Sequence, residues 1–377
     1  MAHFPNSIAI AGAWGYIGRK LLDAALHCGV QAYVYDPGPA PTDIDPSAYT
    51  RVSDAAEFYQ IKADLFHLAL HPEGRQQALE SLLGRAKTEP LFILNEKPMV
   101  SPDQPEAGPQ IIQAVERSQA TMLYDFPELF DPMTQRIAEY LKQFQQVEFT
   151  SFFVQRSKDR EDPAISRNYK LMLPIQFQES GHCLAFVLYF LAAFGGGLEH
   201  VLSRGVTVDA KAQLYDPPNP QDYRVPVDGR CEYELQAGDV KVSGLTDFKR
   251  NADWTKKRII RGLGDGRPFT IEADYYEGEK YLKINAVDQR CDRDASSYEA
   301  ILSTIEGWRR TVPAIELLHG VYPNPRFAWF VFQLSAALWK SSQVGTPVEL
   351  KSLEALNTFE SGFCSTSYYQ QKSDRHG

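Results

Sequence analysis

A chain of 377 residues is long enough for two domains with substantial cores. Apolar residues make up 44% and charged residues 23%, the balance of an ordinary globular protein rather than a disordered or fibrous one. A formal net charge of −9 argues against general affinity for nucleic acid or an anionic membrane.

Basic residues do gather at Lys256-Lys257-Arg258 and Arg261, but they alternate with apolar ones and read as a solvated strand face. The N-terminus, MAHFPNSIAIAG, lacks the basic start of a signal peptide and enters a strand within a few residues. The apolar run FAWFVFQLSAALW (327–339) is too short to span a bilayer and reads as a buried helix. The five cysteines (28, 183, 231, 291 and 364) are widely spaced, with no C-x-x-C pair and no zinc spacing, as expected of reduced thiols in a cytoplasm.

In chain order, strands are predicted at 7–11 (SIAIA), 31–35 (QAYVY), 64–70 (DLFHLAL), 91–95 (LFILN) and 121–125 (TMLYD). Helices at 16–27, about 73–85 and near 110–117 separate them, and the Pro/Gly/Asp-rich 36–46 reads as a loop. Alternation of this kind makes a parallel, doubly wound sheet. After about residue 126 the rhythm changes. A helix at 133–144 leads to a strand at 147–155, a polar loop at 157–168 and an apolar helix near 182–194 that stops at Gly195-Gly196-Gly197. Strands are then predicted at 200–208, 211–215, 231–236, 240–245, 258–262, 270–276 and 280–287, many joined by turn signals such as Ala237-Gly238-Asp239. Helices return at 296–310 and 326–341. The fold class is α/β: an N-terminal Rossmann-like doubly wound parallel sheet in residues 1–126, then an α+β domain with a large, mostly antiparallel open sheet in residues 127–377.

The first strand runs into Gly12-Ala13-Trp14-Gly15-Tyr16-Ile17-Gly18, and a helix follows. Glycines at steps of three between a first strand and a first helix let the backbone approach a pyrophosphate, and the helix N-terminus offers N–H donors. Asp36 ends the second strand, where a carboxylate accepts hydrogen bonds from ribose hydroxyls and repels a 2′-phosphate. It also suits a turn before Pro37. No arginine follows in Pro37-Gly38-Pro39, so NAD is favoured over NADP.

Asn95-Glu96-Lys97-Pro98-Met99 closes the fourth long strand with abrupt charge. With the glycine loop, the turn LALHPE (68–73) and FPELFDP (126–132), this arrangement resembles the Gfo/Idh/MocA oxidoreductases, clearly over about residues 7–195. The resemblance implies an NAD(P)-binding first domain and a second domain for substrate binding and oligomerisation. It implies that Lys97 of the E-K-P signature lies beside the reacting carbon and stabilises an alkoxide as hydride leaves. It also implies a cis Pro98, and places Glu96, His71 and Pro72 along the cofactor pocket; His71 reads equally well as polar punctuation at a strand end. The family's second element, D-x-G-x-H-x-x-D, has its best match at residues 178–185. His182 falls on the family histidine and is expected to relay the proton, although a structural histidine also suits an apolar helix. Gln178 and Ala185 replace the two family aspartates. Glu179 is a substitute carboxylate, and Arg156 and Lys158 are the preferred substrate-binding candidates; Asp159, Arg160 and Tyr169 lie on the same loop.

The expected protein is thus a cytoplasmic, homo-oligomeric NAD-dependent dehydrogenase or reductase of a sugar-like or cyclitol-like hydroxyl, with no resident metal. An NAD-using glycosidase without net redox change and a non-catalytic nucleotide-responsive regulator are the alternatives the resemblance leaves.

Overall fold

The computed structural model describes residues 3–158, 172–216, 225–249, 256–293 and 295–374. The chain divides into two compact units: Met1–Asp131 with Ser296–Ala328, and Pro132–Ala295 with Trp329–Gly377.

The first unit carries β1 (Ser7–Ala11), β2 (Gln31–Tyr35), β3 (Thr50–Arg51), β4 (Leu65–Leu68), β5 (Leu91–Asn95) and β6 (Ala120–Tyr124). They form one sheet in the order β3-β2-β1-β4-β5-β6, with every neighbouring pair parallel. Strands β4, β5 and β6 are buried along their whole length, as continuous apolar runs in a helix-covered parallel sheet are. The chain order reverses between β1 and β4, and sheets of this kind bind ligands at the carboxyl ends of the strands beside such a reversal.

Helix Ser297–Thr311 belongs to this unit, within the stretch that the sequence assigned to the second domain. Its Ile301, Leu302 and Ile305 share one apolar core with Leu21, Leu22 and Ala25 of helix Tyr16–His27. Each fully buried aliphatic chain of this size contributes roughly 1.5–3 kcal/mol. Periodicity identifies a helix but not the sheet that it covers, which is why a single crossing near residue 126 misses this return.

The second unit carries β7 (Val147–Ser157), β8 (Val206–Tyr215), β9 (Val227–Ala237), β10 (Val240–Asp247), β11 (Lys257–Gly264), β12 (Arg267–Asp274), β13 (Tyr281–Ile284), β14 (Val287–Gln289) and β15 (Val348–Leu350). Their order is β14-β13-β12-β11-β7-β10-β9-β8-β15. Among these described strands only β7 and β10 run parallel; the other neighbouring pairs are antiparallel.

Three expectations change here. The strand predicted at 200–208 is half helix, Leu198–Ser203, and β8 starts only after the Arg204-Gly205 turn. The strand at 280–287 is two strands, because Asn285 and Ala286 adopt φ of 50° and 64° and reverse the chain as a tight hairpin turn. Arg258 is not solvated. Strand alternation puts it on the buried side of β11 with Ile260, and its Nη1 donates to the carbonyl oxygens of Gln155 (2.7 Å) and Lys257 (2.9 Å). The segment Gln176–Phe194 is apolar and long enough to cross a membrane, but 83% of its most apolar window is buried inside the fold, as in a core helix.

Candidate functional site

In the first unit the glycine loop sits at the carboxyl end of β1. Gly12 adopts φ +79°, and a Cβ there would lie 2.4 Å from the Ala69 carbonyl oxygen in the loop after β4. A Cβ on Gly18 would lie 2.1 Å from the Gly12 carbonyl oxygen. Both positions therefore exclude side chains, for reasons of local packing alone. The helix begins at Tyr16, with Gly15 capping it in an extended conformation. Tyr16 is partly exposed, Ile17 is half-buried, and Trp14 packs edge-on against Tyr49 with ring centroids 5.5 Å apart.

Asp36 ends β2 and joins two loops. Its Oδ2 accepts the Trp14 N–H at 3.0 Å and its Oδ1 accepts the Gly38 N–H at 2.8 Å. The carboxylate thus holds the glycine loop and makes the turn around Pro37, the turn role that its sequence position suggests. Sequence reasoning missed Arg51. This β3 residue reaches across and donates from Nη2 to the Gly38 carbonyl at 2.9 Å. An arginine does therefore stand at the Asp36 turn, supplied from another strand rather than from the residues that follow Asp36.

The E-K-P turn leaves β5 with a cis Lys97–Pro98 peptide. His71 and Pro72 start the helix Pro72–Arg85, with His71 exposed at its N-cap, and the helix carries Arg75 beneath the turn. Arg75 is 2% exposed. Its Nη1 donates to the Glu96 carbonyl and to Asn95 Oδ1 (3.3 Å), and its Nη2 donates to the Pro98 carbonyl. Asn95 Oδ1 also accepts the Glu96 N–H at 3.0 Å. A buried guanidinium must spend its donors on protein groups, and these are backbone oxygens flanking Lys97. Lys97 itself is half-buried.

Behind the turn lies a buried titratable cluster. His67, in the middle of β4, is 0% exposed and places Nε2 3.2 Å from Glu96 Oε1. The donor atoms of His67, Glu96 and Asp125 all lie within 4.8 Å of one another, close enough to hold a metal ion by distance. Burial pushes the His67 imidazole down to about 4, so near neutral pH the contact with Glu96 is a hydrogen bond from a neutral ring and not an ion pair. Burial, and next the Glu96 carboxylate to which it hydrogen-bonds, hold the Asp125 carboxyl well above the ordinary carboxylate range. A neutral Asp125 can donate to Glu96. Asp125 follows directly after β6, and its N–H donates to the Asn95 carbonyl at 2.8 Å.

The second unit holds the other candidates. Helix Gly181–Phe194 is preceded by a π-helical stretch, Gln176–Ser180, a wider winding that recurs at functional sites. Arg156, near the end of β7, donates from Nε to Glu179 Oε2 at 2.8 Å, with both side chains buried. The structure thus joins two substrate-binding candidates in an ion pair. Ser180 Oγ lies 2.8 Å from Thr246 Oγ1, tying the same stretch to β10. His182 is buried in the first turn of its helix, and Ala185, in place of the family carboxylate, is fully buried. Lys158 donates its N–H to the Asp247 carbonyl (2.9 Å) and extends the β7–β10 ladder. Asp159, Arg160 and Tyr169 lie outside the described residues.

Sequence reasoning did not pick out Arg75, His67 or Asp125. The signal for His67 was a polar residue inside an all-apolar strand, which has to find a partner.

No protein-family model matches the sequence, and no curated protein does. Solved structures match well. A super-repressor mutant of Gal80p from Saccharomyces cerevisiae is 16% identical with a TM-score of 0.68, covering 94% of this chain and 100% of that one. A myo-inositol dehydrogenase from Corynebacterium glutamicum is 14% identical with a TM-score of 0.60, covering 91% and 98%. An oxidoreductase from Agrobacterium radiobacter, in complex with NAD+, L-tartaric acid and magnesium, is 12% identical with a TM-score of 0.61, covering 91% and 98%. At such identities likeness establishes architecture alone, and on that ground, with its six-stranded parallel and nine-stranded mixed sheets, the chain has the fold of the Gfo/Idh/MocA-type oxidoreductases.

Proposed function

We propose that the protein is an NAD(H)-dependent oxidoreductase acting on a hydroxyl or ketone of a sugar-like or cyclitol-like substrate. The observation that carries this reading is the Lys97 turn: an ammonium-bearing residue at the carboxyl end of β5, with the carbonyls on either side of it held by the buried Arg75, in a sheet whose β1 ends in a tightly packed glycine loop. The residues present fit a dinucleotide. Gly12 and Gly18 pack the loop closely at the carboxyl end of β1, the helix starting at Tyr16 offers N–H groups to a pyrophosphate, and Asp36 retains lone pairs for ribose hydroxyls. Bound there, the nicotinamide would supply the hydride acceptor. Lys97 donates a hydrogen bond to the substrate oxygen and stabilises the negative charge that grows on it. His182 is assigned the proton relay, as the resemblance implies.

Calorimetry with NAD+ and NADP+, followed by absorbance at 340 nm across a polyol panel, tests the reading. Lys97→Met should keep dinucleotide affinity and lose turnover by about a hundredfold or more, the usual scale for one transition-state donor. Absence of binding by either dinucleotide, or unchanged turnover in Lys97→Met, overturns it.

A second reading has its own observation. Ala185 removes the family carboxylate, and Gal80p, described as a transcriptional regulator for its Kluyveromyces homologue, is among the structures this chain resembles. Dinucleotide binding without turnover on any substrate would favour a regulator.

A further inference from the structure

We infer that Arg75 is a positioning residue for Lys97: it fixes the backbone on both sides of the lysine, and so sets where the ammonium stands. The inference rests on the dehydrogenase reading for its kinetic consequence only; its structural content stands apart from it.

The argument starts from what a strand end leaves undone. When β5 stops at Asn95, the carbonyls beyond it lose their ladder partners, and Pro98 brings no N–H of its own. Something must hydrogen-bond the oxygens of Glu96 and Pro98 in a buried setting. Water or a small polar side chain would serve. Here a whole guanidinium is buried for the purpose, entering from helix Pro72–Arg85 and donating to both oxygens. The planar fork spans two acceptors at fixed separation, which an ammonium on a flexible stem does not reproduce.

The Glu96 side chain is anchored separately, by the His67 imidazole and the Asp125 carboxyl. Asn95 adds a third tie, accepting from both Arg75 and the Glu96 N–H. The residue before Lys97 is therefore held by main chain and side chain, and the residue after it by main chain. Such a frame is what a group needs if it must hold its geometry to a fraction of an ångström during reaction. A lysine with only a surface role gains nothing from a buried cation spent on its neighbours' carbonyls.

The test uses the full-length protein with Arg75→Lys and Arg75→Gln. Four quantities are read: amide hydrogen exchange of the peptide covering residues 95–99, the NMR resonance of 13C-dimethylated Lys97 (assigned by its loss in Lys97→Arg), the NAD+ dissociation constant, and kcat with KM. Both variants should exchange about tenfold faster at 95–99 and shift or broaden the Lys97 resonance. NAD+ affinity and KM should stay within about threefold, while kcat falls by about tenfold or more, Gln below Lys, since small misplacement of a reacting group is costly. Should Arg75→Gln fail to fold, Arg75→Lys is read alone against the same expectations. Wild-type exchange and an unmoved Lys97 resonance in a folded variant overturn the inference, as does a loss of kcat that merely follows the folded fraction. If the wild type neither binds a dinucleotide nor turns over, the dehydrogenase reading fails, and the exchange and resonance still decide the role of Arg75.

Discussion

His67 Nε2 and Glu96 Oε1 stand 3.2 Å apart with no exposed surface on the histidine, so a central strand of the parallel sheet is cross-linked to the turn that carries Lys97. Its partner Asp125 brings a second carboxyl group to the same Glu96. This arrangement makes stability depend on pH in two opposed ways.

The folded imidazole takes its proton only near pH 4, against 6.5 for the free side chain. Between those values the unfolded chain binds a proton that the folded one does not. His67 therefore costs stability as pH falls through that window, by about 3 kcal/mol in total. Asp125 acts with the other sign. Its folded proton affinity is raised, so its contribution is full below the ordinary carboxylate range and is lost as pH rises toward the folded value. In the shared window the two partly cancel. Asp125→Asn keeps a neutral donor and removes the opposing titration. Urea melts from pH 4.5 to 8 should then show a steeper fall in stability toward acid than the wild type, and no loss toward alkaline pH from this site. Equal slopes for the two proteins would mean that Asp125 is already ionised in the fold.

The Arg156–Glu179 pair gives a stability prediction with a control built in. Glu179→Ala leaves a buried guanidinium without its carboxylate and should cost about 3–5 kcal/mol in denaturant unfolding. The double variant Arg156→Met/Glu179→Leu should recover most of that, because replacing a buried ion pair by apolar groups is often close to neutral. A double variant as unstable as Glu179→Ala would show that one of the two has other partners that matter more.

Much of the fold could be read because pattern and period agree. The apolar runs SIAIA, QAYVY and LFILN became β1, β2 and β5 at the predicted bounds, and helix Tyr16–His27 likewise. Two-residue β3 carries no periodic signal, and with it Arg51 was lost from view. The E-K-P lysine was legible as charge placed at a strand end. Its support was not, because Arg75 lies in a polar helix start, PEGRQQ, and its partners are backbone oxygens that no side-chain motif records. The Arg156–Glu179 link was hidden in a different way. Each was singled out by position, but only the winding of Gln176–Ser180 brings the carboxylate to the arginine.

Glycine substitutions should separate loop geometry from ordinary helix preference. Gly12→Ala must hold an L residue at φ +79° and place a methyl 2.4 Å from the Ala69 carbonyl oxygen, so a loss of at least about 2 kcal/mol is expected, together with any dinucleotide affinity. Gly307 lies inside helix Ser297–Thr311, where an added methyl would meet nothing within 4 Å, so Gly307→Ala should gain about 0.5–1 kcal/mol. Thermal melts of both variants, with NAD+ calorimetry on the first, check this. A stabilised Gly12→Ala would contradict the tight approach of the β1 and β4 loops.

Asp36 and Arg51 together should set the choice between the two dinucleotides. The carboxylate at the end of β2 repels a 2′-phosphate, while the Arg51 guanidinium, now spent on the Gly38 carbonyl at 2.9 Å, stands on the same turn. Asp36→Ser removes the repulsion and leaves the cation. The ratio of NADP+ to NAD+ affinity should then rise by about tenfold or more, equivalent to about 1.4 kcal/mol, and adding Arg51→Gln should cancel most of that rise. Because the two sites share one turn, the effects should not add, and the full cycle of single and double variants measures the coupling. Calorimetry with both dinucleotides on the four proteins is sufficient. If Arg51→Gln leaves the altered preference of Asp36→Ser in place, the arginine serves only the Gly38 turn, and discrimination rests on the Asp36 carboxylate alone.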